Sequence, residues 1–273
     1  CHFGLERELG SVTPGRRADF IVTSSIDDLP IEAVFARGEK VAENGKLLTK
    51  CPHYPWPQSA RETVNLGKKL KREDFVISAP ASLSSVNAKV IGIIENQAPT
   101  KALELDLPVK HGKVIAKGDV CYLSLVERHR GTGAVVNGFV SGFGYTGSMA
   151  IASSVAHDSH HIIVVGTNQD MMAFAANRLG ELGGGVSVWK DGAEVALVEL
   201  PIAGLMSDSK ASEVSVKAQA IVSAMIDCGC TLNNAYMQHT LLALVVIPEL
   251  RISDLGLVDV NRFELTEIIE QSS

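Results

Sequence analysis

"HIIVVGTNQDMMAFAANRLGEL", His161–Leu182, is the stretch that sets the architecture. Ile162 to Val165 is an unbroken apolar run, too short for a helix, and it reads as a strand buried on both faces. The residues after Asn168 change period: Met171, Phe174, Ala175 and Leu179 share one helical face, and Gly183-Gly184-Gly185 ends the helix. "VSVWKDGAEVALVELP" follows as a hairpin turning at Lys190-Asp191-Gly192. Working outward, "FVISAP", "NAKVIGIIENQ", "DVCYLSLVERHRG", "AVVNGFVSGFG" and "SMAIASSVAHD" read as strands, as does "TKALELDLPVKHGKVIAKG" around a Lys110-His111-Gly112 turn. "SEVSVKAQAIVSAMIDCGC" reads as a second helix with Val216, Ala220 and Met225 on its inner side. The chain ends in a long apolar segment broken at Pro248. From Asp74 onward this is the alternation of an α/β (α+β) fold with a mixed sheet flanked by helices.

The first 55 residues have a different texture. Residues 1–8 read as the tail of a helix, Pro14-Gly15 as a turn, and Phe20 to Val22 as a strand. Ala33 to Arg37 pairs with Lys40 to Glu43 around Gly38, and Asn44-Gly45 makes a second turn. Pro52, Pro55 and Pro57 then interrupt any regular element. This predicts three parts: 1–55, a linker over 56–75, and a larger domain over 76–273.

Hydrophobic residues make up 46% of the 273 and aromatics only 5%, so the core is built from aliphatic side chains. The net charge of −6 and the lack of a basic stripe exclude nucleic-acid binding by phosphate neutralisation. The densest basic run, "GKKLKRED" at Gly67–Asp74, reads as a solvated linker or helix face. Five scattered cysteines, Cys1, Cys51, Cys121, Cys228 and Cys230, fit free thiols in a reducing cytoplasm. No apolar run is long enough for a membrane span, no signal peptide is visible, and the absent initiating Met fits a fragment or processed product.

The chemistry concentrates at the mouth of the quoted strand, in His157-Asp158-Ser159-His160-His161. As an extended segment it would send His157, Ser159 and His161 one way and Asp158 and His160 the other. Imidazoles beside a carboxylate suit either metal ligation or proton transfer, and the spacing matches no defined metal motif. The glycines of "GFVSGFGYTG" and "LGGGV" lack the setting of a dinucleotide loop. In "IAGLMSD", Ser207, Asp208 or Ser209 is expected to cap the helix that follows. No Ser-His-Asp triad is defensible from order alone, and His239 reads as a helix-surface or core histidine.

Four segments carry a resemblance. "GSVTPGRRADFIV" resembles the stretch where metal-dependent amidohydrolases leave their catalytic barrel and join a small β-sandwich. "SVAHDSHHIIVVGTN", "LPIAGLMSD" and "IPELRISDLGLVDV" resemble the C-terminal domain of bacterial adenine deaminases, and the likeness runs from about Leu5 to Phe263. His161 departs from it, standing where the family pattern is expected to hold Asn. The resemblance implies hydrolysis of adenine to hypoxanthine and ammonia by a metal-bound water, in cytoplasmic purine salvage. It implies manganese or iron held by a barrel whose ligands lie outside this chain; His2 belongs to no His-x-His pair. It also implies that residues 1–55 are sandwich strands, that the isolated chain is inactive, and that the assembly is a homo-oligomer. His157, Asp158 and His160 are then expected to form a substrate-proximal loop over the barrel mouth. Two other readings stay open: a non-catalytic interaction or oligomerisation domain, with Leu241 to Ile247 as a candidate interface, and an independent metal site at His157 and His160.

Overall fold

The computed structural model describes residues 2–50 and 54–269, so Cys1, Cys51 and Pro52 lie outside the described residues. The chain divides into two compact units, Cys1–Pro55 and Trp56–Ser273.

The first unit is a four-stranded antiparallel sheet of β1 (Phe20–Thr23), β2 (Ile31–Ala36), β3 (Glu39–Glu43) and β4 (Lys46–Leu47) in sequential order. Arg37-Gly38 and Asn44-Gly45 both take positive φ, the backbone a two-residue hairpin turn demands. Phe20 stacks on Phe35 across the β1–β2 pair at 4.7 Å. Residues 2–8 form turns, not the tail of a helix.

The second unit opens with α1 (Gln58–Arg61) and a 3₁₀ turn, Arg72–Phe75. Leu66, Leu70, Phe75 and Ile77 from this stretch are buried in the unit's core. Then come β5 (Ser85–Ile93), β6 (Thr100–Lys110), β7 (Lys113–Val114), β8 (Cys121–Val126), β9 (Val135–Ser141), β10 (Met149–Ser153) and β11 (Ile162–Gly166). Helix α2 (Gln169–Leu182) leads to β12 (Gly185–Lys190) and β13 (Ala193–Glu199), and these to α3 (Ala211–Asp227) and α4 (Ala235–Leu241). β14 (Leu250–Ser253), β15 (Gly256–Asp259) and β16 (Glu264–Thr266) form a separate three-stranded sheet. "FVISAP" is not a strand; it holds the end of the 3₁₀ turn and a single bridge from Ser78 to Lys113.

The main sheet has nine strands in the order β13-β12-β10-β11-β8-β9-β5-β6-β7. Every pair is antiparallel except β5 with β9. It lies between two apolar layers, which explains its unbroken aliphatic strands. Ile163 and Val165 of β11 face the layer that holds Ile221 and Met225 of α3, Leu242, and Ile252 of β14. Ile162 and Val164 face the layer of Phe75 and of Met172, Ala175 and Leu179 of α2. The chain is thus mixed α and β, with open sheets among the described residues.

Side chains at the layer boundaries depart from the periodicity reading. Asn168 caps α2 through bonds from the Asp170 and Met171 N–H groups, and Gly183 ends it at φ 75°. Phe174, however, is 45% exposed and lies against Trp189. On α3 the buried residues are Ile221, Ala224 and Met225, while Val216 and Ala220 face outward. Neither Ser207, Asp208 nor Ser209 caps α3; its N-cap is Lys210 with no side-chain bond, and Asp208 pairs with Arg61 at 2.5 Å. Arg251, 1% exposed, donates to the carbonyls of Ile247, Leu241 and Ala98 and so fastens the end of α4 to the β5–β6 connection. Of Leu241 to Ile247, Leu242 and Ala243 join the core while Val246 is 65% exposed. Cys121, Cys228 and Cys230 are buried free thiols, and burial pushes Cys121 up to about 12. Among the described residues no helix is long and apolar enough to cross a membrane.

His239, on α4, is fully buried, and neither ring nitrogen has a well-formed hydrogen bond among the described residues. Burial pushes it down to about 4, with only weak opposition from the Ile163 backbone. The unfolded chain therefore takes up this proton near pH 6.5 and the folded chain does not. Stability should fall by roughly 3 kcal/mol between pH 6.5 and 4 on this account. Denaturant titrations across that window should show a flatter decline in His239→Leu; an identical decline would contradict the assignment.

Candidate functional site

The register of β8 on β11 builds the site. Val126 pairs with Ile162, so the residues after β8 and those before β11 become neighbours at one end of the sheet. Glu127-Arg128-His129 thereby meets Ser159-His160-His161.

The histidine segment is not extended. The His160 N–H donates to the Ala156 carbonyl at 2.7 Å, closing a turn, and His160 has φ 50°. The His157 N–H donates to Thr240 O at 3.1 Å, which docks the turn on α4. His157 and His160 are half-buried with ring centroids 5.7 Å apart, and Asp158 is exposed. His161 is buried and packs its ring on His129 at 4.7 Å, with Asp254 at 3.8 Å on its other side. His129 Nε2 lies 2.8 Å from the Ser159 carbonyl. The two-sided alternation expected of this segment is thus replaced by a compact turn, and His129 enters as a fourth imidazole.

Two buried charges frame the cluster. Arg128 is 2% exposed and donates to the carbonyls of His160, Thr63 and Ala203, the last two at 3.2 and 3.1 Å. Burial lowers its pKa. Gly204 has no room for a side chain, since a Cβ there would stand 2.8 Å from the guanidinium. Burial alone would raise the Glu127 pKa. Bonds from the N–H groups of Thr132, Arg130 and His129 and from the Thr132 hydroxyl outweigh burial and hold it at about 2.

Burial, more than these charges, sets the state of the imidazoles. Burial lowers His160 first, followed by the positive sides of His157 and Arg128, with Asp158 opposing. Burial also lowers His161, then His129, with Asp254 opposing. Both are neutral at pH 7. The Nδ1 atoms of His160 and His161 are buried without a hydrogen-bond partner among the described residues. The exposed group of the turn is the Asp158 carboxylate, with half-buried His157 beside it, and such a pair can exchange a proton with a polar group.

It does not fit a metal centre. Among the described residues, no group of three or more His, Cys, Asp or Glu side chains converges to hold a cation. His129 points a ring nitrogen at a carbonyl, and the rings pair off as His157–His160 and His129–His161.

Three separated segments meet here. Besides the turn itself, Ala203 and Gly204 of "LPIAGLMSD" receive bonds from Arg128 and from Ser154 Oγ (2.6 Å), and Asp254 comes from "IPELRISDLGLVDV". Sequence reasoning missed Glu127, Arg128, His129 and Asp254. The available signal was the paired ends of two apolar runs, Val126 before "ERH" and Ile162 after "SHH", which become adjacent once β8 and β11 pair.

The sequence profile for the adenine deaminase C-terminal domain matches residues 97–264. A protein named adenine deaminase from Roseobacter denitrificans is 67% identical over 269 residues, covering 98% of this chain and 45% of the relative. Its namesake from Ruegeria pomeroyi is 66% identical over 272 residues, and one from Moorella thermoacetica is 40% identical over 269, both with the same coverage. The chain spans a little under half the length of these relatives.

Replacing Glu127 by Gln turns an NH₂ group towards N–H donors and removes a charge. The cost should be about 1.5–3 kcal/mol at pH 7. Because the native carboxylate is held low, its contribution is present above about pH 4.3 and lost as pH falls towards 2. Denaturant unfolding of Glu127→Gln should therefore converge on wild type at the acid end; equal stability at pH 7 would contradict the arrangement.

Proposed function

Since the chain belongs to the adenine deaminase C-terminal domain family, we propose that it works as the C-terminal part of an adenine-hydrolysing enzyme. In this reading the substrate is adenine, and the products are hypoxanthine and ammonia. The ligands of the divalent metal that the family resemblance implies come from outside the described residues, and no step assigned to this chain runs through that metal. β1–β4 correspond to sandwich strands beside a barrel, residues 56–75 to the join, and residues 76–273 to the appended domain.

The observation that carries the proposal is the meeting of the three family-like segments at the histidine turn. A turn held by Arg128, α4 and the Ala203-Gly204 loop is rigid, which is what substrate positioning requires. Asp158 is the exposed titratable group on it, with half-buried His157 and His160 beside it. Their role is to hold the purine or its leaving ammonia by hydrogen bonds and to exchange a proton with it. Burial lowers the His160 pKa, and a neutral imidazole there offers both a donor and an acceptor.

The test is kinetic. In a full-length adenine deaminase carrying this region, His157→Ala and Asp158→Ala should each lower kcat/KM by about 10-fold to 100-fold, against a contribution of 10²–10⁴ for a fully positioned acid or base. Unchanged kcat/KM in both would retire the assignment. Ammonia release from adenine by the 273-residue chain alone, with or without added manganese, should be undetectable.

A further inference from the structure

Helix α2 turns an aromatic side chain to solvent. Phe174 is 45% exposed and lies against Trp189 of β12, with ring centroids 5.4 Å apart. Only 5% of this chain is aromatic, so two such rings meeting at the surface call for a reason. Both line a cleft of about 460 Å³ between α2 and residues 69–73. That is the size of a small-molecule site. Its apolar floor includes Leu70, 2% exposed, and Ala173, 4% exposed.

Hydrogen bonds hold this cleft in shape. The Asn177 amide donates to the Leu70 carbonyl and accepts from the Leu70 N–H, both at 2.9 Å, and so ties one wall to the other. Trp189 Nε1 donates to Ser187 Oγ at 2.9 Å, and the Ser187 hydroxyl donates to Glu194 at 2.7 Å. Glu194 in turn accepts from Arg178 Nε at 3.2 Å. The indole and the guanidinium are therefore fixed by one chain of bonds.

The wall facing α2 is the densest basic run of the sequence. Lys68 pairs with Asp74 at 2.6 Å and Arg72 with Asp170 at 3.1 Å. Lys69 and Lys71 also line the cleft, are exposed, and form no ion pair among the described residues. Of the carboxylates lining it, Asp170 and Glu181 are committed to Arg72 and Arg178. Glu73 alone stands against the two lysines, so positive charge is in excess here although the chain as a whole carries −6.

A flat ring stacks on exposed aromatic side chains, and ammonium groups attract a phosphate. The geometry points to this cleft as a nucleotide-binding site. The base stacks on Phe174 and Trp189, and the phosphate meets Lys69 and Lys71. The Asn177 amide is spent on Leu70, so recognition rests on stacking and charge and tolerates either purine. The inference stands apart from the catalytic reading, since no residue of the histidine turn lines the cleft.

Fluorescence titration of the 273-residue chain tests it. Trp56→Phe leaves Trp189 as the one indole, so the emission reports the cleft. Adenosine monophosphate should quench it saturably and bind about ten-fold or more tightly than adenosine or inorganic phosphate. Guanosine monophosphate should match it within about three-fold. In the same background, Lys69→Ala with Lys71→Ala should weaken the nucleotide by about ten-fold and leave adenosine unchanged. Phe174→Ala should weaken nucleotide and adenosine alike by about ten-fold. All three positions are exposed, so circular dichroism should be unchanged. Absence of saturable quenching at millimolar nucleotide, inorganic phosphate binding as tightly as the nucleotide, a response confined to one purine, or variants that bind like their parent would each overturn the proposal.

Discussion

A guanidinium that is 2% exposed with no carboxylate bonded to it among the described residues must be solvated by backbone. Arg128 satisfies that demand with carbonyls from three places: Thr63 before the sheet, His160 in the turn, and Ala203 after β13. Each carbonyl must sit at hydrogen-bond distance, so each segment is fixed relative to the end of β8. The neighbouring Glu127 makes the mirror arrangement, a buried carboxylate satisfied by N–H groups of its own loop. Two adjacent buried charges, each answered by backbone, account for the rigidity of this end of the sheet.

The sheet supplies the platform. Because both faces of β8, β10 and β11 are covered, its central strands cannot slip register without moving aliphatic side chains between layers. The His157–His161 turn leaves from the strand buried on every residue and is docked on α4.

What could be read from the sequence divides along physical lines. Features set by local backbone chemistry were legible: the turns at His111-Gly112 and Asp191-Gly192, both with positive φ, the glycine end of α2, and the buried β11. Features set by which surface a neighbour covers were not. Val216 and Ala220 have the right spacing for a buried face, but the sheet takes the adjoining stripe of Ile221, Ala224 and Met225. "FVISAP" has strand composition but packs Phe75 under α2 and leaves the sheet edge to β7. At the site, the histidine cluster was visible as composition, while its folded turn and its partner His129 depend on the pairing of β8 with β11. His161 stands in that pairing as a buried neighbour of His129, apart from the half-buried His157 and the exposed Asp158.

The claim that Arg128 organises the site is open to one direct measurement, amide hydrogen exchange on Arg128→Met compared with wild type. The account predicts that residues 157–161 and 203–206 lose protection together while β8, β10 and β11 keep theirs. Undiminished protection in both segments, or loss spread evenly over the sheet, would contradict it.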